Sequence, residues 1–253
     1  PATAIRDFCE FIGVAKTNSR HQIELLEWFI RNELNRTAQR RMAVLTPIKL
    51  VVTNWPAGHV EMIELVNNPE DPAGGSRHVE FTGEVWIEDD DFKAEPPPKY
   101  FRLTPGSEVR LRGAFYVKCT GFTTDDDGNV TEVQCTYDPE TRGGNAPDGR
   151  KVKATIHWVS TAHAIDIEAA QYERLFSVDT PGERTGDPMD DVNRDSKRVL
   201  AGKAEAALSD IAPGQVVQFE RLGYYAKDGE VDGLFHRTVG LKDEWANIQK
   251  RTK

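Results

Sequence analysis

Apolar residues at Ile5, Phe8, Cys9 and Ile12 recur at i, i+3, i+4 and i+7, which places them on one face of an α-helix. Gly13 is the natural stop for that helix. Ser19 and Gln22 have the S-x-x-Q spacing of a capping box, in which side chain and backbone satisfy each other's orphan groups. Ile23, Leu26, Ile30 and Leu34 then keep the helical period to about Arg36. The chain is therefore predicted to open with a helical pair.

From Met42 the period changes to two. Ile48, Leu50 and Val52 alternate with Lys49 and Thr53, and Phe81, Val85 and Ile87 alternate with Thr82, Glu84 and Glu88. The same alternation runs through Val109 to Lys118, Thr131 to Tyr137, and Val152 to Trp158. Each reads as a half-buried strand with one wet face. Asp127-Gly128 between two such runs signals a tight hairpin. Loops are expected at 67–76, 96–98, 141–149 and 180–195, the last an acidic candidate linker or crossover. Residues 196–208 stay open, with alanines that suit a helix and Val199-Leu200 that suits a short strand. A strand pair at 216–225 and 234–241 and a short closing helix at 242–250 complete the pattern. Many antiparallel strands separated by turn residues imply barrels or sandwiches.

The 253 residues allow one large domain or two smaller ones, at ~150 residues per domain. No apolar run approaches the ~20 residues of a membrane span, and no targeting segment is seen. Cys9, Cys119 and Cys135 are odd in number and lack C-x-x-C spacing, which favours a reducing, cytoplasmic setting over a disulfide framework or zinc cage. The start at Pro1 rather than Met suggests part of something longer.

No phosphate-binding glycine loop, nucleophile elbow or H-E-x-x-H is present, so no catalytic residue and no metal ligand is assigned. The histidines are scattered, and Glu88-Asp89-Asp90-Asp91 reads as a solvated loop. The net charge of −9 counts at first against a nucleic-acid partner. Locally the sign reverses. Across 99–118 the cations are Lys99, Arg102, Arg110, Arg112 and Lys118, against Glu108 alone. Arg110 and Arg112 share parity and so a strand face, and Tyr100, Phe101 and Tyr116 interleave rings. Arginine with aromatic rings on a β surface is a common way to bind single-stranded RNA. The alternative is that these are ordinary strand arginines paired with acidic loops. Arg36, Arg40 and Arg41 form a second cluster where helix gives way to strand.

The words along the chain resemble the glutaminyl-tRNA synthetase family in its anticodon-binding part. They include Arg40-Arg41-Met42-Ala43-Val44, Gly83-Glu84-Val85-Trp86-Ile87, Glu108-Val109-Arg110-Leu111-Arg112, Ile156-His157-Trp158-Val159-Ser160, Arg174-Leu175-Phe176-Ser177 and Gln218-Phe219-Glu220-Arg221. Their order holds over essentially the whole chain. The resemblance implies a mainly β fold, two antiparallel β-barrels interleaved in sequence behind a small α-helical subdomain. The expected division is a helical stem-contact part at 1–41, a proximal barrel at 42–97 with 178–246, a distal barrel at 98–177 and a tail at 247–253.

In such a family the barrels splay out three anticodon bases, C or U, then U, then G. Arg40 and Gln218 match positions that recognise the middle U, and Arg102 the position that reads the third base, G. Arg110 and Arg112 match positions around the first base and its phosphate. Lys99 stands beside the middle base, where the family often has Gln. Phe101 stands near the third, where it often has Lys, and is placed either to stack on a base or to join the core. The resemblance further implies a glutamine–tRNA ligase that uses ATP and Mg²⁺ as the full-length protein, with the catalytic domain outside this chain and this chain inactive alone. Expected partners are the anticodon loop and stem of tRNA(Gln) and the catalytic domain of the same polypeptide, with no membrane and a monomeric state. The alternatives are a glutamyl-tRNA synthetase of archaeal or eukaryotic type, a free-standing RNA-binding module, and a ligand-binding barrel. The overall charge loses its force here, because binding depends on a patch within a Debye length, ~8–10 Å, and not on the average.

Overall fold

The computed structural model describes residues 1–243 and Trp245. Helix α1 (Ala2–Ile12) ends at Gly13, whose φ of 70° suits glycine. Helix α2 (Ile23–Thr37) begins directly after Gln22, which stands at the N-cap without a side-chain cap. The capping box is therefore not formed: Ser19 Oγ pairs instead with His21 Nε2 at 3.0 Å. Phe29 of α2 meets Phe8 and Phe11 of α1 edge to face, with centroids 6.1 and 5.6 Å away. The opposite side of α2 packs Leu34, followed by Ala38, against Tyr224 and Val239.

The strands among the described residues are β1 (Gln39–Arg41), β2 (Ala43–Val44), β3 (Pro47–Val52), β4 (Glu61–Val66), β5 (Ser76–Phe81), β6 (Glu84–Glu88), β7 (Glu108–Leu111) and β8 (Tyr116–Thr124). They continue as β9 (Val130–Asp138), β10 (Thr155–Ile156), β11 (Val159–Ser160), β12 (Ile165–Tyr172), β13 (Lys197–Ala204), β14 (Val216–Phe219), β15 (Gly223–Lys227) and β16 (Leu234–Gly240). One sheet has the order β10-β7-β8-β9-β3-β6-β11, the other β1-β14-β15-β16-β12-β13-β2, and β4 pairs with β5 alone.

Both large sheets curl until their edges nearly meet, and both do so in the same way. The first has β10 and β11 as its edges, and only His157 and Trp158 separate these two strands in sequence. The second has β1 and β2 as its edges, with Met42 alone between them. Closing a sheet removes exposed edges and encloses a core. The first core holds Leu50, Ile87, Val109, Leu111, Val133 and Trp158, with Ile63 and Phe81 supplied by β4 and β5. The second holds Ala169, Val217, Phe219, Tyr225 and Phe235. Most neighbours are antiparallel, while β1–β14, β10–β7, β12–β16 and β3–β9 run parallel.

The hydrogen bonding groups the strands differently from the expected barrels. β3 bonds β6 on one side and β9 on the other, so the strands within 47–97 share a sheet with those of 98–160 rather than with 178–246. The chain returns to the second sheet at β12, before the acidic loop, and not through 180–195. The run Ile165–Tyr172 alternates weakly, with Ala169 and Ala170 both buried, and gives little period-two signal. Residues 196–208 resolve into β13 and a 3-10 turn, Ala206–Leu208. The predicted strand at 216–225 is β14 and β15 joined by a turn at Glu220–Leu222. The strand read at Val152–Trp158 is reduced to β10. Of the closing helix expected at 242–250 only residues 242, 243 and 245 are described, and the tail at 247–253 lies outside the described residues.

Candidate nucleic-acid interface

Arg40 is on β1 and faces Gln218 of β14 as its register partner. Two residues some 180 apart in sequence thus become lateral neighbours. Arg40 is buried, 7% exposed, and nearly all of its guanidinium is engaged. One terminal nitrogen donates to Asn68 Oδ1 at 2.7 Å and to the carbonyls of Asn35 and Ala38 at 3.2 Å. The other donates to Asn35 Oδ1 at 3.0 Å, an oxygen that also accepts the Tyr224 hydroxyl at 3.4 Å. Burial raises the Tyr224 phenol above its ordinary range, with a hydrogen bond from Gln218 acting against it. Gln218 is buried beside them. This is a closed polar pocket, built where the C-terminal end of α2 meets the second sheet.

Lys99, Phe101 and Arg102 occupy the loop between β6 and β7. Lys99 is exposed, with a left-handed φ of 65°, and forms no ion pair among the described residues. Phe101 is 54% exposed, which removes it from the core, and the Lys153 ammonium sits 5.1 Å from its ring centroid. Arg102 keeps 43% of its side chain exposed. Its Nε lies 3.4 Å from Asp91 Oδ1, and one terminal nitrogen donates to the Asp90 carbonyl at 3.1 Å. The second terminal nitrogen has no protein partner among the described residues. The arginine is anchored at its base and open at its tip. Tyr100 donates its hydroxyl to the Asp90 carbonyl at 2.9 Å, and burial together with Asp91 pushes its phenol well up.

The acidic run is only half solvated, with Asp89 and Asp90 exposed as expected. Glu88, at the end of β6, and Asp91, at the end of a 3-10 turn over Asp89–Asp91, are buried, Asp91 completely. Asp91 accepts two 2.6 Å bonds from the fork of Arg221, which arrives from the other sheet. Arg221 also touches His157 Nδ1 at 3.0 Å. Burial works against the charge on Arg221, but the bonds to Asp91 prevail and hold its pKa above the ordinary arginine value. Glu88 accepts the backbone N–H groups of Leu45 and Thr46 at 2.8 and 3.0 Å, at the crossing between the sheets.

Arg110 and Arg112 sit at and just past the end of β7, and they part company. Arg110 donates to the Tyr116 hydroxyl at 2.8 Å and to Asn145 at 3.3 Å. Arg112 reaches across to Glu220, with Nε 2.8 Å from the carboxylate. The acid-paired alternative thus describes Arg112 and part of Arg102, though their partners come from inside the junction. Four residues, Gln218 to Arg221, consequently touch three of the expected groups: Gln218 beside Arg40, Glu220 on Arg112, and Arg221 on Asp91 beneath Arg102. Lys99 and Phe101 join through their loop, whereas Arg110 stands apart. Sequence reasoning missed Asn35, Asn68, Asp91, Glu220 and Arg221 as site builders. The one available signal was Glu220-Arg221 beside the singled-out Gln218.

Comparison with known proteins shows the family of the chain. A protein-family model described as "tRNA synthetases class I (E and Q), anti-codon binding domain" matches residues 38–138. A second model with that description matches residues 155–228. A glutamine–tRNA ligase from Rhodopirellula baltica is 51% identical over 257 residues, covering 99% of this chain and 42% of the relative. Those of Bradyrhizobium diazoefficiens and Vibrio parahaemolyticus are 48% and 47% identical, covering 97% and 98% of this chain and 44% and 45% of theirs. The chain spans less than half the length of these curated relatives.

Proposed function

We propose that this chain, which belongs to the class I E and Q tRNA synthetases by their anticodon-binding domains, reads the anticodon of a tRNA on behalf of a glutamine–tRNA ligase. The observation that carries this reading is the Gln218–Arg221 segment, which gathers base-reading side chains from both sheets. In this reading Arg40 and Gln218 meet the middle base, a uracil, whose one donor and two acceptors suit an arginine plus an amide. Arg102 offers its open tip to a third-position guanine, where a guanidinium fork is worth ~1–3 kcal/mol of discrimination. Phe101 stacks on a neighbouring base and Lys99 neutralises phosphate. Arg110 and Arg112 flank the first base.

Activation of glutamine with ATP and Mg²⁺, and its transfer to the tRNA, belong to the rest of a longer cytoplasmic polypeptide in this reading. Among the described residues no group of three or more His, Cys, Asp or Glu side chains is placed to hold a metal ion, and no step is routed through this chain. No described helix is long and apolar enough to cross a membrane.

The test is a titration of this chain with anticodon stem-loop RNAs that differ at one anticodon position at a time. Preference for C or U, then U, then G is expected. Equal affinity across all of them would refute the reading. An aminoacylation assay with glutamine and glutamate on the full-length protein decides between the two amino acids.

A further inference from the structure

Asp91 and Arg102 form an incomplete pair, and the reason lies in the other sheet. Asp91 is wholly buried and has two carboxylate oxygens to share. Arg221 takes both, one with each terminal nitrogen at 2.6 Å. Arg102 is left with one contact to Asp91, through Nε at 3.4 Å, and one terminal nitrogen on the Asp90 carbonyl at 3.1 Å. A buried carboxylate beside a lone arginine would draw it into a bidentate fork, the strongest geometry open to the pair. That fork would consume the nitrogens a base must see.

The position of Arg221 is itself tightly set. It lies in the turn between β14 and β15 with a φ of 69°, a conformation that residues other than glycine seldom adopt. The turn is held by Leu222 N–H on the Phe219 carbonyl at 3.0 Å and by Glu220 N–H on the Arg41 carbonyl at 2.9 Å. His157 Nδ1, 3.0 Å from the guanidinium, limits its rotation from a third direction.

We infer that Arg221 is a positioning residue for third-base specificity: by occupying both oxygens of Asp91 it limits Arg102 to a single contact with that carboxylate, through Nε, and leaves the second terminal nitrogen of Arg102 free for the base. Asp91 is the shared anchor. The inference rests on the assignment of Arg102 to the third base. It also ties that base to the middle one, because Gln218 is only three residues from Arg221 on the same short segment.

The experiment measures the affinity of the 253-residue chain for four anticodon stem-loop RNAs that differ only in G, A, C or U at the third anticodon position. The variants are Arg221→Lys, Asp91→Asn, Arg102→Ala and the double variant Arg102→Ala with Arg221→Lys, each with a thermal melt. Lysine keeps the charge of Arg221 but makes only a point contact, which frees one Asp91 oxygen. Arg221→Lys is expected to lower the preference for G about tenfold, chiefly by weakening binding of the G RNA. Affinity for the other three RNAs should change by less than about twofold. In the Arg102→Ala background the same change should leave the remaining preference unaltered. Asp91→Asn should reduce the preference too, by releasing the anchor.

An equal loss for all four RNAs after Arg221→Lys would make Arg221 a general RNA contact and overturn the inference. A lowered melting temperature with the preference intact would do the same by assigning it a purely structural role. If Arg102→Ala keeps the full preference for G, the base assignment itself is wrong. That result is distinguishable, because it arises without touching Arg221.

Discussion

Arg40 and Arg102 are both read as base-recognising arginines, yet the molecule treats them in opposite ways. Arg40 is 7% exposed and spends its terminal nitrogens on Asn35, Ala38 and Asn68. Arg102 is anchored at two points, with 43% of its side chain in solvent. A buried guanidinium with satisfied donors is part of the fold. To read a base it must exchange internal bonds for new ones, so recognition and stability are coupled there. An open guanidinium can gain or lose a base with little change to the rest of the protein. The same residue type thus does two jobs: one arginine shapes a pocket in advance, the other reaches out from a loop.

The largest effect should come from Arg40→Ala. It removes the charged donor from the Asn35 and Asn68 oxygens, leaving them the Tyr224 hydroxyl and the Glu70 N–H, and hydrogen bonds to charged groups contribute ~1.5–3 kcal/mol each. A fall in melting temperature of roughly 4–10 °C is expected, together with weaker binding of every RNA. A variant that melts like the parent would break the contrast. Phe101→Ala should give a smaller, cleaner result. The ring is exposed, so the melt should be unchanged, while RNA affinity falls by ~1–3 kcal/mol with little dependence on base identity. A large loss of stability would show that the loop is as integral as the Arg40 pocket.

The smallest effect probes the junction between the two regions. Burial pushes the Glu88 carboxylate up, but His157, Thr46 and the Leu45 backbone together outweigh it and hold the group below its ordinary range. The folded protein therefore binds that proton less readily than the unfolded chain. The stabilisation is complete above the ordinary glutamate range and is lost as pH falls through the lowered folded value. Urea midpoints of the parent and Glu88→Gln should differ by a constant amount near neutrality and converge in acid. A difference that widens on acidification would contradict this sign.

Much of this was legible before any coordinates. Helix α1 and its glycine stop follow from spacing at Ile5, Phe8, Cys9 and Ile12, and the hairpin at Asp127-Gly128 from its turn residues. The grouping of strands was not legible, because alternation tells which face of a strand is buried and nothing about its neighbours. β3 and β12 show this: each pairs antiparallel on one side and parallel on the other, with partners far along the chain. The acidic run misled for a related reason. Charge in sequence reads as solvent exposure, and only Arg221 from the other sheet explains how Asp91 is buried. Arg102, Arg40 and Gln218 were singled out by resemblance, while the side chains that orient them became visible only in three dimensions.

The crossings between the two sheets have a further consequence. The chain leaves the second sheet after Val44 and returns at Ile165, and Ala43 and Ile165 both pair with Ala204, one on either side. The gap between departure and return is therefore about two strand spacings, roughly 10 Å. In topological terms the first barrel is an insertion at a single point of a host barrel, and a linker of about three residues would bridge the cut. The host would keep Arg40 facing Gln218, but Arg221 would lose Asp91.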